Sequence, residues 1–449
     1  MTRRRTRSGW LSLACGLLLC TGCDTRSVES PEPDPAPVEA ASVGGWSAAQ
    51  LALLESLAIR ALPPAPAQAS NRVADDPLAA ELGHRLFFDP GLSRNRQVSC
   101  ATCHVPELLF TDGRATSRGI ADLARNAPTL VGAAHSPWMF WDGRRDSLWA
   151  QALAPLEAAA EMGTTRLAVV RHVAGDPKLA ALYERLFGPL PAQARSERWA
   201  QSAGPFGDRD ERAAWQRMST EDRLAIDRAF AQVGKALAAY ERLLQPGESR
   251  FDRYVAELRT GASGDPSTSL DEEEIRGLRL FVDVGRTQCL RCHNGPLFSN
   301  QSFHQIGTGQ GLAGLPDFGR FLGIQAVLID PFNCLGAYSD ARPDQCRELR
   351  FVEKSHVAGE TGKFKTPTLR GLARTGPYLH DGRFGSLDAV LDHYRTPPSS
   401  AGALEITPVE LTDDESRALI AFLSSLDGGI DLPERWLRPP SGDEPPTHP

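Results

Sequence analysis

The sequence predicts an all-α fold in which one structural unit occurs twice. Segments with the apolar spacing of amphipathic helices recur along the 449 residues, and no stretch alternates convincingly enough for a large sheet. A Cys-x-x-Cys-His motif occurs at Cys100–His104 and again at Cys289–His293. Each copy follows a helical segment and precedes a long irregular segment and a closing helix. A Gly/Ser/Pro-rich break at 260–269 separates the two copies.

The repeated motif is the signature of covalent haem c attachment. Each cysteine adds to one vinyl group of the porphyrin, and the adjacent histidine becomes the proximal iron ligand. A redox Cys-x-x-Cys pair or half of a zinc site is the alternative, but a four-cysteine zinc site leaves both histidines unexplained. The fold class is therefore two cytochrome c-like haem domains with long irregular loops. The residues predicted to bind the two haems are Cys100, Cys103, His104, Cys289, Cys292 and His293.

The chain order of these features predicts five regions: a signal peptide (1–23), a flexible tether with a short helix (24–72), a first haem domain (73–260), a second haem domain (261–432) and a disordered tail (433–449). Residues 189–219 are polar, contain Pro and Gly, and are predicted to be a surface excursion. The predicted helices are Trp46–Leu62, Leu78–Phe88, Leu148–Leu153, Arg166–Leu186, Asp222–Leu244, a helix from Ser269 through Val282, Leu387–Tyr394 and Asp413–Leu426.

The first residues are typical of an export signal, with a basic Arg3–Arg7 patch and an apolar Trp10–Cys20 run. Thr21 and Gly22 before Cys23 resemble a lipoprotein cleavage box, which predicts a periplasmic protein attached to a membrane through a lipid on Cys23. A plain cleaved signal is the alternative, because Cys20 stands where such boxes usually carry leucine. No later segment approaches 18 consecutive apolar residues.

Composition narrows the possible partners. The net charge of −7 argues against nucleic acid and is compatible with a cationic protein partner. Outside the haem motifs and the signal, Cys334 and Cys346 lie in a loop rich in Asp, Asn, Pro and Gly. In an oxidising compartment they are expected to form a disulfide, with free buried thiols as the alternative.

Three further motifs occur in order: Leu86–Pro90, Phe140–Arg144 and Pro377–Gly382. Together with the haem motifs, they resemble the bacterial di-haem cytochrome c peroxidase / MauG family over roughly residues 75–430. The resemblance implies an oxidoreductase that uses hydrogen peroxide. It also implies a calcium ion between the domains, with the side chain of Asn126 and the backbone carbonyls of Thr375 and Pro377 as ligands, all hard oxygen donors.

The resemblance places the peroxide reaction at the first haem, where one axial position must stay free. In the peroxidase branch of the family, a histidine after the first motif can fill that position. The corresponding segment here, Thr116–Arg125, has none, and His135 is interpreted as packing or surface. We therefore expect a five-coordinate first haem. Glu161 matches the family's distal glutamate, an acid–base group for moving a proton between peroxide oxygens, and Gln151 matches its distal glutamine.

At the second haem the resemblance places an axial ligand on the helix after the His-Asp-Gly motif, where this chain has Tyr394. Electron-transfer cytochromes usually carry methionine there, which raises the potential, whereas a phenolate should lower it. His393 is the alternative ligand, and a purely structural tyrosine is the other. The second half of the chain offers no methionine, since the methionines are Met1, Met139, Met162 and Met218.

Trp141 matches the family's tryptophan between the two haems, although large aromatic residues usually serve only packing. The resemblance thus implies a MauG-like enzyme in which peroxide creates a high-valent di-haem state that oxidises a side chain of a partner protein. The Cys334–Cys346 insertion with Glu348–Phe351 resembles the MbnH-like subgroup, whose partner is modified at tryptophan. Two alternatives remain: a cytochrome c peroxidase that takes electrons from a small cytochrome, and a non-catalytic di-haem electron-transfer protein.

Overall fold

The computed structural model describes residues 43–261, 268–310, 316–352, 357–398 and 403–440. Over these ranges the chain is mostly helical with little sheet, as predicted. The predicted signal peptide, the lipid site at Cys23 and residues 441–449 lie outside the described residues. The helices are α1 (Ala48–Leu57), α2 (Pro77–Phe87), α3 (Cys100–Cys103), α4 (Leu148–Glu157), α5 (Arg166–Gly175), α6 (Pro177–Phe187), α7 (Arg209–Arg217), α8 (Thr220–Glu241), α9 (Arg250–Thr260), α10 (Glu272–Val282), α11 (Arg320–Ile329), α12 (Arg347–Arg350), α13 (Leu387–Arg395) and α14 (Asp413–Ser424).

Each haem motif is preceded by a helix that crosses another helix at a glycine. A Cβ atom on Gly83 of α2 would lie 2.0 Å from the carbonyl oxygen of Ala236 in α8, and one on Gly277 of α10 would lie 1.9 Å from that of Ala418 in α14. Only a residue without a side chain allows backbones to approach so closely. The same helix crossing therefore occurs before both motifs.

Two large hydrophobic clusters surround these crossings. The first contains residues of α2, α4, α5, α6 and α8, and the second contains residues of α9, α10, α13 and α14. Helix α9 joins the second cluster through Phe251, Tyr254 and Val255. The buried face of α9, which lies before the predicted boundary at 260, thus packs with the cluster around the second haem motif. We call the segments that form the first and second clusters the first and second units.

The predicted tether is packed over its described residues. Trp46 is fully buried in the second cluster, and its Nε1 donates a hydrogen bond to the hydroxyl of Tyr254 at 2.7 Å. The guanidinium of Arg279 lies 4.0 Å from the centre of the indole ring. Helix α1 follows and adds Leu54 and Leu57 to the same cluster. The short helix predicted in this region is therefore present as α1, and its apolar side chains pack on the second cluster.

The predicted disordered tail is also packed as far as residue 440. Trp436 is buried in the first cluster, and its carbonyl accepts a hydrogen bond from the hydroxyl of Tyr240 at 2.6 Å. The ring nitrogen Nε2 of His84 lies 2.8 Å from the carbonyl oxygen of Arg438. The prediction fails here because one aromatic residue anchors a segment that has no helical or strand periodicity.

Other differences have local causes. The predicted helix Arg166–Leu186 is two helices, α5 and α6, because Pro177 lacks the backbone N–H that a continuous helix needs and Asp176 caps the second helix. The predicted surface excursion 189–219 contains α7, which buries Trp215. The sheet consists of the antiparallel strands β1 (Phe303–His304) and β2 (Phe364–Lys365). Within the described ranges, every helix is too short or too polar to traverse a lipid bilayer.

Candidate di-haem site

The two motif histidines are held in the same way. The Nδ1 atom of His104 lies 2.9 Å from the carbonyl oxygen of Phe110, and that of His293 lies 2.9 Å from the carbonyl oxygen of Phe298. A carbonyl can only accept, so Nδ1 carries the hydrogen and Nε2 keeps its lone pair for a metal. Burial lowers the pKa of both imidazoles, that of His293 to about 4. Burial therefore favours the neutral form of both rings, which is the form that binds iron.

The four motif cysteines are free thiols, and Cys103, Cys289 and Cys292 line the same cavity as the two histidines. Cys100 and Cys103 begin and end the single turn α3, and Cys289 opens a 3-10 turn that leads to Cys292. Burial raises the pKa of Cys103 to about 12 and that of Cys292 to about 11. Two thiols one turn apart, with a neutral imidazole beside them, match the donor set that covalent haem c requires.

A single continuous cavity connects the two motifs. Its volume, counted as space for the centres of water molecules, is about 360 Å³, and both motif histidines line it. The remaining lining is mainly apolar, as expected for a space that holds flat organic cofactors. Among the lining residues are most of the predicted site residues: Asn126, Trp141, Gln151, Glu161, Thr375, Pro377 and Tyr394.

Two turns of the same construction meet in this cavity. In Phe140–Arg144 and in Leu379–Arg383, the first residue has a positive φ and the flanking residues form an isolated antiparallel bridge. An aspartate–arginine ion pair closes each turn, at 3.1 Å in the first and 2.6 Å in the second. The shared construction places Trp141 and His380 at equivalent positions. The sequence signal for this repeat is the Asp-Gly-Arg triplet common to both turns.

Trp141 is fixed by backbone groups of two other segments, one of which is also bound to the second turn. Its Nε1 donates to the carbonyl of Asn126 at 3.0 Å, and the amide of Asn126 donates to the carbonyl of His380 at 2.9 Å. The amide of Lys365 in β2 donates to the carbonyl of Trp141 at 2.8 Å. The indole therefore lines the cavity from the first turn, and Asn126 links it to the second turn.

Glu161 and Gln151 line the cavity from the polypeptide around α4. Ser147 caps α4, whose third turn leads into the loop that carries Glu161. The carbonyl of Glu161 accepts a hydrogen bond from the amide of Ile120 at 2.9 Å, which positions this loop. Burial raises the pKa of Glu161, and the nearby Arg144 guanidinium opposes that rise. A carboxyl group in this setting can hold a proton at a higher pH than an exposed glutamate.

Histidines other than the motif pair have partners of their own. His135 does not line the cavity, and its Nε2 lies 2.9 Å from the side-chain oxygen of Gln245. His304 lines the cavity, but its Nδ1 lies 2.6 Å from a carboxylate oxygen of Glu405. His380 stacks on Phe364 with the ring centres 3.6 Å apart. Sequence reasoning missed His304 as a lining residue, whereas His380 belongs to the predicted Pro377–Gly382 motif.

Helix α13 presents Tyr394, and not His393, to the cavity. Tyr394 is a lining residue, and burial together with the nearby Cys289 and Cys292 raises the pKa of its phenol. His393 is turned toward the backbone, with Nε2 2.7 Å from the carbonyl oxygen of Ile306. A bound cation would reverse the effect of burial and favour the phenolate.

The three predicted calcium ligands lie along the same cavity. The side-chain nitrogen Nδ2 of Asn126 donates a hydrogen bond to the carbonyl of Arg114 at 2.8 Å, so the side-chain oxygen Oδ1 of Asn126 remains as an acceptor. Thr375 and Pro377 follow the turn Leu372–Arg374. Among the described residues, no cluster of three or more His, Cys, Asp or Glu side chains is arranged to hold a metal ion. Any ion here would therefore depend on carbonyl and amide oxygens.

Cys334 and Cys346 are joined by a disulfide, in an insertion that lies on the first unit. Phe332 is buried in the first hydrophobic cluster, and the amide of Cys334 donates to Asp146 at 2.7 Å. The ammonium of Lys235 in α8 lies 2.6 Å from Asp340. The insertion therefore extends from the second unit onto the helices of the first.

Comparisons with known proteins agree with this geometry. Residues 77–260 match the model of the di-haem cytochrome c peroxidase family. The chain is 32% identical to a methylamine utilization protein MauG from Methylorubrum extorquens, covering 93% of each chain. It is 31% identical to a cytochrome-c peroxidase IdrP1 from Denitromonas iodatirespirans, covering 81% of this chain and 85% of the relative.

Two crystal structures have the same fold. One is a MauG-like protein associated with microbial copper homeostasis, with a TM-score of 0.55 and 24% identity over 84% of this chain and 96% of the other. The second is the diheme peroxidase BthA from Burkholderia thailandensis, with a TM-score of 0.56 and 23% identity over 78% of this chain and 86% of the other. The chain belongs to the di-haem cytochrome c peroxidase / MauG family.

Proposed function

We propose that this protein is a periplasmic, MauG-like di-haem enzyme that uses hydrogen peroxide to oxidise a side chain of a partner protein. Its two units would be cytochrome c-like haem domains, attached through Cys100, Cys103 and His104 and through the equivalent residues of the second motif. The observation that carries the proposal is the presence of Tyr394, with His393 turned away, in a cavity shared with the second motif.

The bound haems would supply iron that takes up peroxide and stores its oxidising equivalents. Glu161, a partly buried carboxyl group that lines the cavity, would move a proton between the peroxide oxygens. Gln151 would orient the peroxide through its amide. Trp141 would pass electrons between the two haems, because it lines the cavity that both motif histidines line.

Tyr394 would bind the second iron as a phenolate, which stabilises its oxidised form. Calcium would bind between the units through Asn126, Thr375 and Pro377, and would hold the two repeated turns together. A lipid on Cys23 would tether the enzyme to a membrane.

A cytochrome c peroxidase that draws electrons from a small cytochrome is the second candidate. It is favoured by the relatives named as peroxidases, among them a cytochrome c551 peroxidase from Nitrosomonas europaea, 27% identical over 82% of this chain and 85% of the relative. A non-catalytic electron-transfer protein is the third. It would need protein ligands on both sides of each iron. His135 does not offer such a ligand to the first iron, because its Nε2 is hydrogen-bonded to Gln245.

Turnover measurements separate these candidates. We expect the ferric protein to react with hydrogen peroxide and then to persist in an oxidised form while reduced cytochrome c is consumed slowly. Fast, sustained oxidation of reduced cytochrome c by peroxide would instead support the cytochrome c peroxidase. Failure to consume peroxide at all would leave the electron-transfer protein.

A further inference from the structure

A line of aromatic rings leads from the helix beside the first haem motif to the surface of the disulfide-bonded insertion. Leu148 and Gln151 of α4 line the haem cavity, whereas Trp149 is buried on another face of that helix. The gap between the cavity and the indole is thus about the width of a helix, roughly 10 Å. The ring of Trp149 lies 6.4 Å, centre to centre, from Phe332, and Phe332 lies 5.2 Å from Tyr338.

The end of this line has a proton acceptor. The hydroxyl of Tyr338 donates to a carboxylate oxygen of Asp227 at 3.1 Å, and the other oxygen of Asp227 accepts from Arg166 at 2.9 Å. Tyr338 is half-buried and lines a small surface pocket with Arg72 and Arg228. A phenol that loses an electron becomes strongly acidic, so a carboxylate at hydrogen-bond distance is what its one-electron oxidation needs.

The charge that each ring would carry after losing an electron decides which residue of this line is oxidised. The ammonium of Lys235 lies 5.3 Å from the centre of the Trp149 ring, and the guanidinium of Arg166 lies 4.8 Å from that of Phe332. Both cations are paired with carboxylates, Lys235 with Asp340 at 2.6 Å and Arg166 with Glu157 at 2.8 Å, so their net effect on the rings is small. The penalty is the burial of a positive charge on an oxidised ring that has no base to take its proton. Tyr338 avoids the penalty, because transfer of its proton to Asp227 leaves a neutral radical.

We propose that Tyr338 is a redox-active residue through which oxidising equivalents leave the first haem unit for the protein surface. The inference rests on the proposed peroxide reaction, which supplies the oxidant. Tyr338 gives one electron to the peroxide-oxidised protein through Trp149, and its phenolic proton goes to Asp227. A one-electron reductant at the surface, either a reduced protein or an electron-rich aromatic side chain of a partner, then returns the electron, and the proton goes back from Asp227.

The experiment uses the full-length enzyme with both haems. Samples mixed with stoichiometric hydrogen peroxide are frozen at short times, and haem absorption and the EPR signal are recorded on the same samples. We expect an organic radical signal whose hyperfine structure collapses when the protein is made with ring-deuterated tyrosine. Tyr338→Phe should abolish the signal while the haem absorption changes remain.

Two further variants separate redox from structural effects. Tyr183→Phe is the matched control, because the buried hydroxyl of Tyr183 donates to the amide oxygen of Gln232, which is a poor proton acceptor. It should leave the signal intact. Asp227→Asn keeps an acceptor beside Tyr338 but removes the base, so it should suppress the signal.

Haem absorption distinguishes failure of this inference from failure of the proposed function. If peroxide changes the haem bands but no tyrosine radical forms, or if the radical persists in Tyr338→Phe, the role of Tyr338 is overturned and the peroxide reaction stands. If peroxide leaves the haem bands unchanged, both proposals fall.

Discussion

At the residue scale, the acid–base chemistry of the proposed reaction depends on one carboxyl group. Glu161 faces the cavity, and burial raises its pKa while Arg144 opposes the rise. Replacement by glutamine keeps the shape and removes the titratable proton. We expect Glu161→Gln to slow peroxide consumption by about 10²–10⁴-fold, the usual contribution of a positioned acid–base group.

The measurement for Glu161 is the rate of peroxide loss in the ferric enzyme. Glu107→Gln is the control, because Glu107 is exposed and is not among the cavity residues. Unchanged ferric haem spectra in both variants would show that the sites remain intact. An unaltered peroxide rate in Glu161→Gln would remove this residue from the mechanism.

The second residue-scale prediction concerns the ligand of the second iron. A phenolate stabilises the ferric form, so Tyr394→Phe should raise the reduction potential of that haem by on the order of 100 mV, within the ≈ 0.8 V range set by axial ligands. His393→Gln is the neighbouring control, because His393 contacts the backbone of Ile306 instead of the cavity. Potentiometric titration checks both variants. Equal shifts in the two would argue for a structural tyrosine.

At the element scale, the helix crossings depend on glycine. A methyl group at Gly277 would lie 1.9 Å from the carbonyl oxygen of Ala418, whereas one at Gly175 meets nothing within 4 Å. We expect Gly277→Ala to lower the free energy of unfolding by about 1–3 kcal/mol or more through overpacking. Gly175→Ala should leave it unchanged or raise it by up to about 1 kcal/mol. Denaturant titrations of the two variants test the difference.

A second element-scale prediction concerns the packed C-terminal segment. Burial lowers the pKa of His84 to about 4 from its ordinary 6.5. Below pH 6.5 the unfolded chain therefore binds a proton that the folded chain does not bind until about pH 4. The resulting loss of unfolding free energy is about 1.4 kcal/mol per pH unit as pH falls through this window.

Unfolding titrations between pH 7 and pH 4 measure this loss, with His84→Gln as the comparison. The variant cannot bind the proton, so its unfolding free energy should depend less on pH than that of the wild-type protein. Identical pH slopes would contradict the buried, neutral state of His84 beside Arg438.

At the scale of the whole molecule, each unit is completed by segments that are distant from it in sequence. Helix α1 packs on the second cluster, whereas residues around Trp436 and the insertion around Phe332 pack on the first. The buried ion pair between Arg370 and Asp252, at 2.5 Å, joins α9 to the segment after β2, and Arg370 also donates to the carbonyl of Leu57 in α1. Neither unit is therefore complete without residues distant in sequence.

These distant contacts explain what sequence analysis could and could not predict. Helices with strong apolar periodicity, such as α2 and α8, were predicted to within a few residues, because their signal is local. The haem motifs were recognised because the spacing of their residues is set by covalent chemistry. The packing of Trp46 and Trp436 was missed, because it depends on partners about 200 residues away, Tyr254 and Tyr240.

The same distinction between local signals and distant contacts applies to the residues of the candidate site. Cavity positions that belong to a motif, such as Trp141, could be predicted from sequence, whereas His304 has no motif of its own. It reaches the cavity because β1 pairs with β2, which places Phe303 opposite Lys365. The register of two short strands cannot be derived from four residues. Likewise, sequence alone left His393 and Tyr394 as alternatives, because adjacent helical residues differ in facing by about 100°.

An EPR spectrum of the resting ferric protein tests the central claim most directly, because it reports the coordination of both irons together. We predict a high-spin signal from the first haem and a separate signal from the second haem that changes in Tyr394→Phe but not in His393→Gln. Two low-spin signals, both unaffected by Tyr394→Phe, would contradict the proposed function.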